Sequence, residues 1–318
     1  MNRGERLKIL VTGGAGFIAS NIVDALIDIG HNVVIVDNLT SGFQQNLNPK
    51  AKFYKIDIRD GKLSEILERE KPQIVNHHAA QIDVRKSSED PIADAEANIL
   101  GSLNLITSCL RFGVKRIIYA STGGASYGDP EYIPADENHP IKPISQYGVS
   151  KHTVEHYLHL YSITDGLEYV TLRYSNVYGG RQNPHGEAGV VAIFAIQMLT
   201  GKQPTIFGPG DKTRDYTHVS DIVRANIIAL EHGKNAIYNI GTGVETKDQE
   251  IFDTLASVLG FKGKPIYAPL RKGEVYRIAL DCTKAKKELG WSPQLSLKEG
   301  MARTAEYYRA LARRSPTR

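Results

Sequence analysis

The chain has almost no cysteine: two in 318 residues, Cys109 and Cys282, far apart. That excludes a disulfide framework and any CxxC or zinc-knuckle spacing, and makes the cytoplasm the default location. A long apolar run is missing as well. The greasiest stretch, 189–199, falls short of the ~20 residues that cross a bilayer and contains Gln197. The opening residues run into an apolar strand without a signal-peptide pattern, so no membrane partner is expected. Charge of one sign is scarce too, since 39 Lys and Arg against 35 Asp and Glu leave a formal +4. Basic residues are dispersed, apart from Arg309, Arg313, Arg314 and Arg318, which read as a solvated tail. No nucleic-acid partner is expected. The remaining composition, 41% hydrophobic and 23% charged, suits an ordinary globular protein with a sizeable core and room for two domains.

What is present is alternation. Residues 7–12 form a short apolar run that ends in glycines, and 17–29 carry apolar residues at helical spacing. Gly30 closes that helix, and Asn32 to Asp37 is a β-branched run suited to a strand buried on both faces. Strands at 52–56, 73–76, 116–120 and 168–174 then alternate with helices at 62–70, 94–112 and 151–160. The pattern predicts an α/β fold, a doubly wound parallel (Rossmann) sheet. Beyond Asn176, closely spaced Gly and Pro break the alternation and predict a second, smaller mixed α/β substrate lobe. A helix at 221–230 and a strand at 236–240 return to the first lobe. The expected division is 1–176 plus about 216–240 for the dinucleotide-binding domain, and about 177–215 plus 241–318 for the substrate domain.

Thr12-Gly13-Gly14-Ala15-Gly16-Phe17-Ile18-Ala19 occupies the first strand-to-helix turn. Glycines there let backbone amides approach a pyrophosphate at a helix N-terminus. Asp37, closing the second strand, can bond a ribose diol, and its charge would repel a 2′-phosphate, favouring NAD over NADP. Ala19, in place of the third glycine, is small enough for helix–strand packing. Asp57 could contact an adenine edge or serve only as a helix cap. Tyr147 and Lys151 lie one turn apart on a helix after Pro143, and a phenol beside an ammonium and a cationic ring becomes a usable base. Ser121 and Thr122 end a parallel strand, where a hydroxyl can hold a substrate oxygen; a strand-end turn would use the same residues. His77 and His78 point to opposite faces of a strand and lack a third ligand, so no metal is expected; His78 is read as lining the cofactor groove. Asp136, Glu137 and Glu288 read as solvated, and Trp291 as a packing anchor.

These motifs resemble the extended short-chain dehydrogenase/reductase family and, within it, the nucleotide-sugar 4-epimerases that interconvert UDP-galactose and UDP-glucose. The likeness runs through Thr12 to Ala19, Asp37-Asn38, Asp57-Ile58, His78-Ala79-Ala80, Asn98, Ser121 to Gly128, Tyr147 to Lys151, Leu172 to Gly179, Arg214-Asp215-Tyr216 and Arg271 to Glu274. It implies a tightly held NAD contacted by Gly13, Gly16, Phe17, Ile18, Asp37, Asn38, Asp57, Ile58, His78, Ala79, Ala80, Asn98, Tyr147, Lys151 and Tyr174. By the same resemblance Tyr147 is the base, Lys151 lowers its pKa, and Thr122 or Ser121 is the hydroxyl partner. Thr122 fits when counted from the strand, whereas counting back from Tyr127-Gly128 lands on Gly123, which has no hydroxyl. A UDP-sugar is implied at Thr122, Asn176, Arg214, Arg271, Glu274 and Ile278. The two arginines read as diphosphate clamps or as ordinary salt-bridge residues, and the aliphatic Ile278 as room for an N-acetyl group. Gly123-Gly124 stands where dehydratase relatives carry Asp-Glu, which argues against a dehydratase. The alternatives are the UDP-N-acetylglucosamine pair, another NAD-dependent nucleotide-sugar epimerase, or an oxidoreductase. The family also implies a homodimer through helices 94–112 and 151–160, with Tyr157, Leu158 and Tyr161 as candidate interface residues.

Overall fold

The computed structural model describes residues 6–185, 189–270 and 275–314, except the side chain of Arg314. In chain order its first elements are β1 Lys8–Thr12, α1 Phe17–Asp28, β2 Asn32–Asp37, β3 Lys52–Lys55, α2 Lys62–Glu70, β4 Ile74–His77, α3 Val84–Glu89, α4 Pro91–Ala95, α5 Gly101–Arg111 and β5 Arg116–Thr122. There follow α6 Gly123–Ser126, α7 Gln146–Thr164, β6 Glu168–Tyr174, β7 Asn176–Tyr178, α8 Val190–Leu199, β8 Thr205–Phe207, β9 Thr213–Arg214 and β10 Tyr216–His218. The remainder are α9 Val219–Ile228, β11 Ala236–Ile240, β12 Thr246–Lys247, α10 Asp248–Leu259, β13 Ile266–Ala268, α11 Thr283–Leu289 and α12 Leu297–Arg314.

Seven strands form one parallel sheet in the order β3-β2-β1-β4-β5-β6-β11. Strand order reverses between β1 and β4, and at that switch point the carboxyl ends of neighbouring strands diverge into a crevice. Strand residues buried on both faces explain the unbroken apolar runs. Ile9, Val11 and Ile35 pack on one face with α1, α9 and Trp291, and Leu10, Val34 and Ile117 on the other with α2, α5 and α7. Trp291 is fully buried and its Nε1 donates to the Asp221 carbonyl, so it is the packing anchor the sequence suggested.

The later chain builds three two-stranded pairings, β7 with β10, β9 with β12 and β8 with β13. Its own core contains Phe194, Ile206, Phe252, Met301 and Tyr308. Among the described residues no helix is long and apolar enough to cross a membrane. The helix expected over 94–112 is interrupted, because Glu96–Leu100 forms a π turn between α4 and α5. Leu158 points into the sheet's core, and Tyr157 and Tyr161 pack partly on the same cluster. The exposed apolar side chains of α7 are instead Val149, Leu160 and Ile163.

Candidate active site

The first strand-to-helix turn is tight for a steric reason. Gly13 has φ +70°, and a Cβ there would lie 2.8 Å from the Ala79 amide nitrogen, so only glycine lets the turn cross the end of β4. Thr12 Oγ1 accepts from the amides of His78 and Ala79, at 3.2 and 3.1 Å, fixing that segment beside the turn. Gly16 N-caps α1 without any side-chain acceptor, which leaves the first-turn amides around Phe17 and Ile18 available to an anion. Asp37 is buried and accepts from the amides of Ala15 (3.0 Å) and Leu39 (2.7 Å). Each carboxylate oxygen keeps acceptor capacity for a hydroxyl.

Asn38 donates to Asp57 at 2.8 Å, and Arg59 grips both oxygens of Asp57 at 2.9 Å. Those Arg59 bonds are the main reason its carboxyl is depressed to about 2. Ile58 is buried against Gly101. Asn98, on the π turn, exchanges hydrogen bonds with Gln81: its Oδ1 accepts from the Gln81 amide and its Nδ2 donates to the Gln81 carbonyl and to Asp94. Its side chain therefore shapes the 79–81 segment.

The adjacent histidines diverge as strand geometry requires. His77 is buried between Thr12 and Ser102. His78 meets the Tyr174 hydroxyl at 3.2 Å and stacks on that ring, while its Nδ1 is buried with no hydrogen-bond partner. Burial, then the charge of Lys151, holds its pKa down to about 3. A neutral ring with one orphaned nitrogen beside the Gly13 turn suits a groove that receives another polar group.

Tyr147 and Lys151 both lie on α7, whose start is capped by Ser145 Oγ accepting from the Gly148 amide at 3.2 Å. Gly148 matters because a Cβ there would meet the Ala125 carbonyl oxygen at 2.6 Å; α6 and the start of α7 are thereby pressed together. Lys151 is 4% exposed, its Nζ 4.3 Å from the centre of the Tyr119 ring. Burial lowers its pKa to about 7, against the opposing pull of Glu155 and Asp94. Burial and Asp94 raise the Tyr147 phenol above its ordinary value. In the protein's own field the phenol is thus a weaker acid, and a further cation beside it is what would make it a base.

Ser121 and Thr122 separate sharply. Ser121 Oγ donates to Glu155 at 2.6 Å inside the core, and Glu155 also takes two bonds from Arg173, at 3.0 and 2.6 Å. Thr122 Oγ1 accepts from the Ala125 amide at 3.2 Å as the cap of α6. It faces the side where the Cβ position of Gly124 lies 3.4 Å from Asn176 Oδ1 and 3.9 Å from Thr122 Oγ1. Gly123 packs directly under the Leu280 side chain: a Cβ there would sit 2.6 Å from its Cδ1, so any larger residue would have to displace that leucine.

In the second lobe Arg214 is half-buried and donates to the carbonyls of Thr213 and Tyr276, at 2.8 and 3.3 Å. Its neighbour Asp215 is buried and accepts from Thr242, Gly243 and Leu280. Ile278 is 1% exposed, packed with Tyr127, Ala135, Val275 and Leu280, so its size can act on a sugar only through those neighbours. Arg271 and Glu274 lie outside the described residues. Asp94, which accepts from Ser150 at 2.6 Å and from Asn98 and Gln81 at 3.0 Å, was not singled out from the sequence, and neither was Glu155. For Glu155 the one available signal was its place one helical turn beyond Lys151 on α7; Asp94, on α4, carried no such signal. Glu137 is half-buried and accepts from the Asn239 amide at 2.7 Å, bonding the outer edge of β11, whereas Glu288 is exposed and accepts from Tyr238.

The profile of the NAD dependent epimerase/dehydratase family matches residues 9–241. The chain belongs to that family. A Methanocaldococcus jannaschii protein provisionally assigned as a UDP-glucose 4-epimerase is 51% identical over 94% of this chain and 97% of its own length. The crystal structure of a Thermotoga maritima UDP-glucose 4-epimerase with UDP-glucose superposes with a TM-score of 0.95 at 48% identity, covering 96% of this chain and 99% of that one. A Thermus thermophilus UDP-glucose 4-epimerase in complex with NAD gives 0.91 at 41% identity, covering 95% and 99%. Within this NAD dependent family the turn at Gly13, the uncapped α1 and the orphaned His78 nitrogen all fit a dinucleotide.

Proposed function

We propose that the protein is a UDP-glucose 4-epimerase, interconverting UDP-galactose and UDP-glucose through a 4-keto sugar. The observation that carries the reading is full-length likeness to enzymes of that name joined to Tyr147 and Lys151 on α7 and Thr122 at the carboxyl end of β5.

NAD would be held at its pyrophosphate by Gly13, Gly16, Phe17 and Ile18, at its adenosine end by Asp37, Asn38, Asp57 and Ile58, and along the groove by His78, Ala79, Ala80, Asn98, Tyr174 and Lys151. When bound it supplies reversible oxidation of the sugar's C4 alcohol. The protein's part is the proton and the orientation. Tyr147 Oη takes the C4 hydroxyl proton and later returns it to the same oxygen. Lys151 Nζ, which makes no hydrogen bond among the described residues, holds the phenolate form by charge. Thr122 rather than Ser121 bonds the C4 oxygen, because Ser121 is already committed to Glu155. Asn176, Arg214, Arg271 and Glu274 hold the UDP portion, guanidinium forks matching paired phosphate oxygens, so the hexose can turn over while its tail stays fixed. Arg214, Arg271 and Glu274 come from the lobe that spans about 177–215 and 241–318, and Asn176 from the end of the dinucleotide-binding domain beside it.

The same reading makes the protein a homodimer through α7 and the segment of α4, the π turn and α5. Val149, Leu160 and Ile163 are 50%, 47% and 70% exposed, and Ile92 and Leu100 are 71% and 57% exposed. Apolar residues so placed on adjoining helices suit an isologous contact. Light scattering should give twice the chain mass at micromolar concentration; a monomer mass would reject the pairing.

The deciding experiment is incubation of purified protein with UDP-galactose and, separately, UDP-N-acetylgalactosamine, with no NAD added. Formation of UDP-glucose without accumulation of NADH is expected. NADH rising in step with substrate loss would identify an oxidoreductase instead, and exclusive turnover of the N-acetyl sugar would move the assignment to that pair.

A further inference from the structure

On the outer side of α7 two imidazoles face each other one helical turn apart. His152 Nε2 and His156 Nε2 are separated by 3.0 Å, with ring centroids 4.5 Å apart and planes at 68°. His152 Nδ1 lies 3.0 Å from Glu155 Oε2. A carboxylate at Nδ1 keeps the proton on that nitrogen, so the neutral ring presents a bare Nε2 lone pair outward. That orientation is imposed from inside the fold, because Glu155 is itself fixed by Ser121 and both arms of Arg173. The arrangement is carboxylate, histidine, open nitrogen, with a second imidazole nitrogen alongside, the pattern by which proteins orient a metal-ligating histidine.

The separation also selects a geometry. Two nitrogens bound to one ion at roughly 2.0–2.1 Å lie about 2.9 Å apart at a right angle and about 3.4 Å apart at a tetrahedral angle. The observed 3.0 Å is nearer the right angle, which is the preference of Ni²⁺ and Cu²⁺ with nitrogen ligands. In the single chain access is open, since the His152 side chain is 23% exposed and His156 is an exposed residue; both share the α7 face of Val149, Leu160 and Ile163, so in the proposed dimer the pair borders the second copy. Among the described residues no set of three or more His, Cys, Asp or Glu is placed to hold a metal, so an ion here takes two ligands from one chain.

We propose that His152 and His156 form a surface chelate for a divalent first-row transition ion with right-angle coordination, its other positions left to water or, in the dimer, to the second copy. The site is separate from the sugar chemistry and does not depend on it.

Tag-free, chelator-treated full-length protein titrated calorimetrically with NiCl₂ should bind one ion per chain where water fills the other positions, and one per two chains where the second copy does. His152→Ala and His156→Ala should each weaken binding by at least ~10-fold. Paramagnetic resonance of the Cu²⁺-loaded protein should show coupling to two imidazole nitrogens, and to one in either single variant. His156→Gln, a change at an exposed position, serves as a second test should His152→Ala disturb Glu155. Equal Ni²⁺ affinity in wild type and the His152→Ala/His156→Ala double variant would overturn the proposal, and tighter binding of Zn²⁺ than Ni²⁺ would overturn the right-angle geometry.

Discussion

Two buried polar clusters flank the first turns of α7, and they differ in one respect. In the cluster around Glu155 each charge is answered: Arg173 and Glu155 share two bonds, Ser121 and His152 add two more, and Arg173 also donates to Tyr127 at 3.0 Å. Burial works to raise the Glu155 carboxyl, yet the bonds from His152 and Arg173 more than offset it and bring it to about 2. In the cluster around Lys151 little is answered. The ammonium rests on a ring face, His78 Nδ1 has no partner, and burial drives Lys151, His78 and Tyr147 each away from its charged form. A satisfied buried network rigidifies the fold; an unsatisfied one is a cost that persists where a ligand completes it. The contrast separates scaffold from site without reference to any relative.

The contrast breaks most visibly at Tyr147. Tyr147→Phe should lower turnover by about 10²–10⁴-fold, the usual worth of a positioned proton-transfer group, while its denaturant midpoint stays near wild type. On the scaffold side, Glu155→Ala strands the Arg173 guanidinium and should cost about 3–5 kcal/mol of stability, read by urea unfolding.

Lys151→Met should remove activity yet stabilise the cofactor-free fold, on the order of 1–4 kcal/mol. The sign follows from linkage. Lys151 has a folded pKa near 7, below its unfolded value of about 10.4, so between those limits the unfolded chain binds the extra proton and wild-type stability rises with pH. The advantage of the methionine variant is therefore largest below pH 7 and vanishes toward pH ~10.4. An advantage that grew with pH would mean that Lys151 is stabilised as a cation by the fold.

The smallest effects divide two neighbours. Ser121→Ala loses a hydrogen bond to a carboxylate and should cost roughly 1.5–3 kcal/mol of stability with turnover little changed. Thr122→Ala loses a cap worth about 0.5–2 kcal/mol but should lower turnover at least ~10-fold, with Thr122→Ser restoring it. The opposite pattern would exchange their roles.

How far the letters alone reached follows the same division. The strands Asn32–Asp37, Glu168–Tyr174 and Ala236–Ile240 and the helix Lys62–Glu70 have the bounds their apolar periodicity predicts, because a strand buried on both faces or a helix with one greasy stripe writes its limits in hydrophobicity. The π turn at Glu96–Leu100 was not legible. It arises where Asn98 is drawn to Gln81, a contact between residues that no periodic pattern links. Helix α7 begins at Gln146, capped by Ser145, as the helical pairing of Tyr147 and Lys151 after Pro143 requires and ahead of the 151–160 stretch. At the site, the glycine turn, Asp37 and the Tyr147 to Lys151 spacing were visible as motifs. The commitment of Ser121 to Glu155 and the orphaned nitrogen of His78 were not, since both depend on partners distant in the chain.

The most direct measurement is an ultraviolet titration of the protein as purified with its NAD, against Tyr147→Phe as the reference. One tyrosine ionising at least a unit below the ordinary ~10 is expected in wild type and none in the variant. Identical titrations of the two proteins, with every phenol ionising at or above that value, would contradict it.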